Sequence, residues 1–358
     1  MGKETIGLKI GASRLSAARV VLNGSAELVQ VAEEPLARGI VAGGEVKDVE
    51  ALAVALKGFF KLHKLPRRGI RIGVSNNRIG VRTIELTGIE DPKQLANAVR
   101  FRAQEALPIP IEEAVLDYQV LSESRNAEGV PLTRVLLVVA YRDLIDSYLQ
   151  AFRAVGVKVA GVDLEAFALL RALTPPAGVA PSTDPAVVQR SALVAVAVGS
   201  DRSTLAVSDG LSCEYTRVLD WGGSSLTGAI ARALEVDAVR AEELKRELWV
   251  EGGPVPEGLS EDQLAKAHEA IQIGLQTFGR ELVSSLQYYQ SQEGSLGIRE
   301  VVLAGGASQL RGFAEAVEKL VGVKVRVGDP LIGISVGKKL KGETSAALAI
   351  PIGLGMGY

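Results

Sequence analysis

Three glycine-containing segments have the residue types needed to hold the phosphates of a nucleotide. Gly11-Ala12 and Gly199-Ser200 each follow a short apolar strand, and Gly305-Gly306-Ala307 follows a buried strand predicted at Glu300–Leu303. Glycine has no Cβ, so backbone amides at such turns can approach an anionic ligand closely. The third segment also precedes a predicted helix, whose N-terminal amides favour anions. The sequence therefore predicts an anion-binding cleft.

The first two segments belong to an internal repeat. Residues 6–24 read IGLKIGASRLSAARVVLNG and residues 194–210 read VAVAVGSDRSTLAVSDG, so that Gly11 aligns with Gly199 and Arg14 with Arg202. Each half consists of a strand, a glycine turn, a second strand and a turn closed by glycine. Two unrelated hairpins would give the same pattern, because hairpins are common. The alternative is a duplicated fold with one glycine turn from each half facing a shared cleft.

Length and composition limit the class of protein. A chain of 358 residues is long enough for two or three domains. Its 40 basic and 42 acidic residues leave no overall positive charge, so we expect no sequence-independent binding of nucleic acid. The single cysteine, Cys213, excludes an intrachain disulfide and fits a reducing compartment. We expect no signal peptide after Met1 and no membrane-spanning segment, because no apolar run is long enough.

Longer motifs resemble the actin, Hsp70 and FtsA superfamily. VVLAGGASQLRGF at residues 301–313 resembles its adenosine motif, and AEELK at 241–245 resembles a segment whose Glu and Lys face the nucleoside. FRAQEALPIP at 101–110, followed by LDY at 116–118, resembles the insert subdomain of one branch, the PilM family of type IV pilus assembly proteins. The resemblance covers nearly the whole chain and rests on many moderate signals.

The resemblance implies an α/β fold with two actin-like lobes, each built like ribonuclease H, and an α+β insert subdomain. The predicted elements divide the chain accordingly. The expected parts are a first-lobe core at 1–87, the insert at 88–165, a linker and crossover at 166–190, a second lobe at 191–340, and a C-terminal segment at 341–358 that returns to the first lobe.

The resemblance also implies a set of residues around a nucleotide. They are Lys9, Gly11, Ala12, Gly199, Ser200, Gly222, Gly223, Glu242, Lys245, Gly305, Gly306 and Ala307.

Two departures from the family pattern put hydrolysis in doubt. The family carries an aspartate two residues before the first turn glycine and another at the second turn; Lys9 and Ala197 stand at these positions. Such carboxylates hold the magnesium that neutralises charge during phosphoryl transfer. We therefore predict a degenerate ATPase site without metal ligands or catalytic residues, for which ATP is a candidate ligand and magnesium is doubtful.

Lys9 has two interpretations at this stage. It could bind phosphate directly as a point charge in place of the metal, or the cleft could be empty and Lys9 paired with a neighbour such as Asp201. Arg14 and Arg202 have the same two alternatives, phosphate ligand or solvated turn residue.

The function implied by the resemblance is that of a scaffold. PilM-like proteins lie in the cytoplasm, at the inner face of the cytoplasmic membrane through their partners, and bind the N-terminal cytoplasmic peptide of a PilN-like inner-membrane protein. The peptide is expected in a groove between the first-lobe core and the insert, with the wall near Phe101–Gln119. A pilus motor ATPase, a platform protein and a second copy of the chain are further candidate partners.

Three alternative functions stay open. The first is an active ATPase whose nucleotide state controls assembly. The others are membrane-machine adaptors like GspL of type II secretion, which would need a following transmembrane helix, or like FtsA, which needs an amphipathic C-terminal helix. The apolar tail at 346–358 contains several glycines and a proline, so we predict a buried terminal segment and not a membrane anchor.

Overall fold

The computed structural model describes residues 3–89, 91–106, 110–174, 191–337, 340 and 346–357. Part of the insert motif (107–109), most of the expected linker (175–190) and residues 341–345 and 358 lie outside the described residues. The strands are β1 (Lys3–Ile10), β2 (Arg14–Asn23), β3 (Ser25–Pro35), β4 (Val41–Ala42), β5 (Glu45–Val46), β6 (Ile70–Val74), β7 (Ile79–Thr87), β8 (Ala114–Arg125), β9 (Pro131–Tyr141), β10 (Val159–Leu164), β11 (Ser191–Val198), β12 (Ser203–Ser208), β13 (Cys213–Leu219), β14 (Gly297–Ala304), β15 (Lys324–Val327) and β16 (Ser335–Val336). The helices are α1 (Val49–Leu62), α2 (Pro92–Ala106), α3 (Arg142–Ala154), α4 (Glu165–Leu173), α5 (Gly223–Leu234), α6 (Ala238–Glu247), α7 (Glu261–Gln290), α8 (Phe313–Val321) and α9 (Ala349–Gly355).

Two sheets with the same strand order form the two halves. The first runs β10-β6-β1-β2-β3, with β16 added beyond β3, and the second runs β15-β14-β11-β12-β13. In the first sheet, β1, β2 and β3 pair antiparallel, whereas β6 is parallel to β1 and β10 to β6. In the second sheet, β11, β12 and β13 pair antiparallel, whereas β14 is parallel to β11 and β15 to β14. The turns also match, because the amide of Gly11 donates to Arg14 O at 2.9 Å and that of Gly199 to Arg202 O at 3.0 Å. The repeat therefore reflects a duplicated fold and not two unrelated hairpins.

The helices form where the sequence supplies caps and apolar periodicity. The Asp48 side chain caps α1 by accepting from the amide of Ala51 at 2.8 Å. Ser260 and Gln263 form a capping box at the start of α7. Along α7, residues three or four apart, such as Ile271 and Leu275, are buried in the core of the second lobe. No helix in the described ranges is long and apolar enough to cross a membrane.

The second sheet faces two different cores. Along β11, Val194 and Val196 pack into the core of the second lobe, whereas Ala195 and Ala197 belong to the core shared with the first lobe. Residues alternate between the faces of a strand, so Ala195 and Ala197 point the same way. They lie beside α4, and the short alanines allow this helix to approach the sheet.

The insert has its own three-stranded sheet in the order β7-β9-β8, packed against α2. β7 thus pairs within the insert, although the sequence analysis placed residues up to 87 in the first-lobe core. In contrast, β10 pairs with β6 of the first lobe, and β16 already pairs with β3 before residue 341. On this pairing we propose that the insert spans residues 79–141 and that the chain re-enters the first lobe by Ser335.

The C-terminal helix α9 is buried against the first lobe. A Cβ built on Gly353 would lie 1.8 Å from the carbonyl oxygen of Ala168 in α4, and one on Gly7 would lie 2.0 Å from that of Pro351. Glycine is therefore required for α9 to approach both α4 and β1. The tail is a buried terminal segment, as its composition predicts.

The chain passes between the lobes twice, once between α4 and β11 and once between β15 and β16. The two passages begin side by side, because a Cβ on Gly328 would lie 2.6 Å from Cδ2 of Leu173. The described ends of the two passages, at Leu173 and Gly328, are therefore neighbours.

Candidate functional site

The two hairpin turns meet at the junction of the lobes. Lys9 Nζ lies 3.3 Å from Oε2 of Glu165 and 4.0 Å from the position that a Cβ on Gly199 would occupy. Lys9 of the first lobe thus reaches the glycine turn of the second lobe. The expected partner Asp201 is wrong, because the carboxylate facing Lys9 belongs to the buried Glu165 at the start of α4.

Two hydroxyl groups extend this pair across the junction. Ser75 Oγ and Thr204 Oγ1 are 2.8 Å apart, and Thr204 Oγ1 donates to Glu165 Oε2 at 3.4 Å. Ser75 and Glu165 were missed by the sequence analysis. They could have been found because each directly follows a parallel strand, Ser75 after β6 and Glu165 after β10. The carboxyl ends of these strands lie at the same sheet edge as that of β1.

A second cluster lies in the second lobe, where Lys245 is nearly buried. Its ammonium group donates to Gly223 O at 3.0 Å, Thr227 Oγ1 at 2.8 Å and Glu242 Oε2 at 2.6 Å. Burial lowers the pKa of Lys245, and the Glu242 carboxylate opposes this effect. Burial also raises the pKa of Glu242, but hydrogen bonds from Lys245 and Thr227 outweigh it, so the pKa is lowered overall. We conclude that the pair is ionised near neutral pH.

Most of the predicted second-lobe residues surround this cluster. The amide of Gly223 donates to Gly199 O at 2.9 Å, and a Cβ on Gly222 would lie 2.4 Å from Ser200 O. A Cβ on Gly223 would lie 3.4 Å from both Ala307 Cβ and Lys245 Nζ. The glycine turn of β11–β12, the start of α5 and the segment after β14 therefore come together.

The paired glycines after β14 have different roles. Gly305 has φ of +88°, donates its amide to Ala346 O at 3.0 Å, and leaves no room for a side chain beside Val198 O. Gly306 is exposed, and nothing lies within 4 Å of a Cβ built on it. The positive φ and the close approach to Val198 therefore require glycine at position 305, whereas the surface at Gly306 is open to a ligand.

Two turn amides remain available for an anion. Within the described part of the chain, the turn amides of Ala12 and Ser200 are not taken by backbone carbonyls, whereas those of Gly11 and Gly199 close the hairpins. Ala12 and Ser200 occupy equivalent places in the repeat. Each lobe therefore contributes one turn amide that no described backbone carbonyl accepts, and Lys9 reaches the turn that contains Ser200.

Arg202 bridges the lobes and is not a solvated turn residue. Its Nη1 donates to Ser75 O at 3.2 Å, and the guanidinium lies 2.9 Å from the Cβ position of Gly44. The Asp201 carboxylate accepts from the amide of Gly43 at 2.9 Å. Arg14, the equivalent of Arg202 in the repeat, pairs with Glu33 at the surface at 3.2 Å. The Arg202 side chain is 13% exposed and that of Arg14 46%.

The residues at the junction do not fit a magnesium ion. Ala197 is buried and carries no ligand atom, and the Glu165 carboxylate is already neutralised by Lys9. Among the residues that the structure describes, no group of three or more His, Cys, Asp or Glu side chains is placed to hold a metal. A magnesium ion would have to displace the Lys9 ammonium group to gain even one carboxylate.

One protein-family model matches nearly the whole chain. The sequence model of the family described as "Type IV pilus assembly protein PilM" matches residues 7–357. Among curated proteins, the cell division protein FtsA of Escherichia coli (strain K12) is 26% identical over 372 residues, covering 92% of this chain and 84% of FtsA.

Solved structures show the same architecture. A chain of a PilM–PilN type IV pilus biogenesis complex superimposes with a TM-score of 0.80 at 25% identity, covering 99% of this chain and 98% of that one. MreB5 of Spiroplasma citri bound to AMPPNP gives a TM-score of 0.56 at 9% identity, with 99% and 95% covered. The two-lobed actin-like fold predicted from the sequence is confirmed.

Proposed function

Because this chain belongs to the PilM family of type IV pilus assembly proteins, we propose that it is a cytoplasmic scaffold that binds the N-terminal peptide of a PilN-like inner-membrane protein. The observation that supports this proposal is the likeness to a chain of a PilM–PilN complex over 99% of the present chain. The scaffold acts by binding and needs no chemical step.

The edge of the insert sheet is the candidate peptide site. Among the described strands, β8 pairs only with β9, so its outer edge carries free backbone donors and acceptors. On the other edge, β7 lies beside β13, and Arg134 of β9 donates to Glu214 of the second lobe at 3.2 Å. An extended peptide can add to an open edge strand, and apolar side chains beside it give specificity. Phe101 of α2 and Val115 of β8 are exposed apolar residues of the insert.

A peptide titration tests this proposal. We expect a synthetic PilN N-terminal peptide to bind with micromolar affinity in isothermal titration calorimetry. The Phe101→Ala variant should bind about tenfold more weakly, or about 1.4 kcal/mol, because aromatic side chains dominate interface energies. Tyr288→Ala is the matched control, since Tyr288 is 56% exposed on α7 and Phe101 is 60% exposed.

Two results would count against the peptide site. Absence of heat and of competition at high peptide concentration would exclude peptide binding altogether. Equal weakening by Phe101→Ala and Tyr288→Ala would move the site away from the insert while leaving a scaffold role open.

We propose as a second function that the junction of the lobes binds ATP without magnesium and does not hydrolyse it at a useful rate. The open surface at Gly306 and the amides of Ala12 and Ser200 support nucleotide binding. Lys9 stands where the family carries a metal-holding aspartate. Loss of metal-assisted charge neutralisation can lower a phosphoryl-transfer rate by several orders of magnitude, at about 1.4 kcal/mol per tenfold.

Thermal denaturation with ATP, with and without magnesium, tests this second function. We expect a rise in Tm that is independent of magnesium and is lost in Lys9→Ala. Lys47→Ala is the control, because Lys47 forms an exposed pair with Glu45. A large magnesium-dependent rise with release of phosphate would show an active ATPase, and no rise at all would exclude the nucleotide.

A further inference from the structure

A strongly basic surface surrounds the C-terminal end of α1 in the first lobe. Residues 51–68 contain five basic residues and no acidic residue, and residues 151–158 contain two more basic residues and again no acidic one. All seven side chains are exposed. We call them the basic face, and they are Lys57, Lys61, Lys64, Arg67, Arg68, Arg153 and Lys158.

The two segments form one continuous surface. Arg67 Nη1 donates to Val155 O at 3.2 Å, and the amide of Lys158 donates to Arg67 O at 2.8 Å. Lys57 and Lys61 are four residues apart on α1 and therefore lie on the same side of the helix. The basic face thus runs from the outer side of α1 to the loop between α3 and β10.

Little negative charge is left near these residues. In the described part of the chain, no carboxylate forms an ion pair with any of the seven basic side chains, whereas neighbouring carboxylates are already engaged. Glu4 receives two hydrogen bonds from Arg19, at 2.6 and 3.0 Å, and Glu34 lies 3.0 Å from His63 Nε2. The basic face therefore keeps its full positive charge.

Ordinary helix electrostatics explain only part of this pattern. A lysine in the last turn of a helix interacts favourably with the helix dipole, which accounts for Lys61. Lys64, Arg68 and Lys158 lie beyond the helix and need another reason. In addition, Leu62 is 64% exposed in the middle of the basic face.

We propose that the basic face binds anionic phospholipids at a membrane surface, with Leu62 entering the boundary between headgroups and acyl chains. Clustered basic residues are attracted to anionic headgroups, and exposed apolar side chains among them add affinity at that interface. An acidic polypeptide would match the charges but would leave the exposed leucine unexplained. This inference does not rest on binding to a PilN-like peptide.

Vesicle co-sedimentation with the full chain tests the inference. We expect binding to vesicles of phosphatidylglycerol and phosphatidylcholine, no binding to phosphatidylcholine alone, and release by salt, which screens exposed charges. The triple variant Lys61→Glu, Lys64→Glu, Arg68→Glu should reduce binding at least tenfold, because three charges attracted to anionic headgroups are replaced by three that are repelled.

A matched variant separates this surface from overall charge. Lys266→Glu, Lys319→Glu, Lys324→Glu reverses three exposed lysines of the second lobe and should bind like the unaltered chain. Leu62→Ser should weaken binding to anionic vesicles at low salt without changing the net charge, and circular dichroism should show every variant folded. Equal losses in both triple variants, or equal binding to neutral vesicles, would overturn the inference. Binding of polyglutamate instead of vesicles, lost in the first variant, would also overturn it and assign the surface to an acidic protein.

Discussion

Lys9 and Lys245 lie in different lobes, and each contacts a carboxylate. Lys245 also donates to a carbonyl and a hydroxyl group, so its three protons are all used. Among the described residues, the polar partner of the Lys9 ammonium group is Glu165 alone, at 3.3 Å. A lysine with donors to spare is the better candidate for a phosphate, while a fully used one holds the protein in place. We therefore assign to Lys245 the role of fixing α5 against α6.

The Lys245–Glu242 pair predicts a specific loss of stability in acid. The pKa of Glu242 is lowered in the folded protein, so its contribution is complete above the ordinary value of 4.5 and is lost as the pH falls through the lowered value. Glu242→Gln should cost about 1 kcal/mol at neutral pH, since the side chain is 35% exposed. Its stability should then depend less on pH below about 4.5.

Urea denaturation over a pH series measures this effect. Glu243→Gln is the control, because Glu243 is the next residue on the same helix and contacts only the exposed Arg240. Parallel pH profiles for Glu242→Gln and the unaltered chain would contradict the role given to this pair.

The residues of this site were only partly predictable. Glu242 and Lys245 were predicted because the AEELK segment resembles a motif of the family, and in the structure their side chains pair at 2.6 Å. Thr227 and Glu165 come from other elements, so no local pattern joins them to Lys245 or Lys9. The strand order of the first sheet brings Glu165 beside Lys9, and the packing of α5 against α6 brings Thr227 beside Lys245. No local sequence pattern states either arrangement.

The C-terminal helix illustrates how tertiary packing overrides local preference. Residues 346–357 contain a proline and several glycines, which disfavour a helix interior. Pro351 lies in the first turn of α9, where its missing amide is no loss, and Gly353 allows contact with α4. The sequence predicted burial here but not the helix, because the contact that favours the helix is made with a distant element.

A pair of glycine substitutions tests this packing. Gly353→Ala should destabilise the protein by about 3 kcal/mol or more, because the new methyl group would meet the Ala168 carbonyl at 1.8 Å. Gly58→Ala should instead stabilise it by about 0.5–1 kcal/mol, since Gly58 is an exposed residue of α1 with open space around it. Chemical denaturation of both variants decides the matter. A loss of the same size in the two variants would show that helix propensity, and not the close approach, governs the effect.

The two lobes are alike in topology but differ at their contact. Arg14 and Arg202 occupy equivalent turn positions, yet only Arg202 enters the other lobe, where Gly43 and Gly44 leave room for it. Both glycines have positive φ, at 65° and 66°. The sequence predicted the duplication because both halves share one pattern. It could not predict this difference, because the pattern is the same and only the opposite lobe distinguishes the two arginines.

Substitution of the two arginines should therefore have unequal effects. Arg202→Ala should lower the free energy of unfolding by about 2 kcal/mol and broaden or split the calorimetric transition, because a buried hydrogen-bonded charge links the lobes. Arg14→Ala should cost less than about 1 kcal/mol, as expected for an exposed ion pair. Differential scanning calorimetry of both variants measures this. Equal small losses with a single sharp transition would exclude the bridge.

The adjacent passages of the chain at Leu173 and Gly328 have a mechanical consequence. Because the described ends of the two connections are neighbours, any rotation between the lobes would be centred near Leu173 and Gly328. The displacement produced by such a rotation grows with distance from its centre. A small rotation about these two residues would therefore produce a large displacement at the outer ends of the molecule.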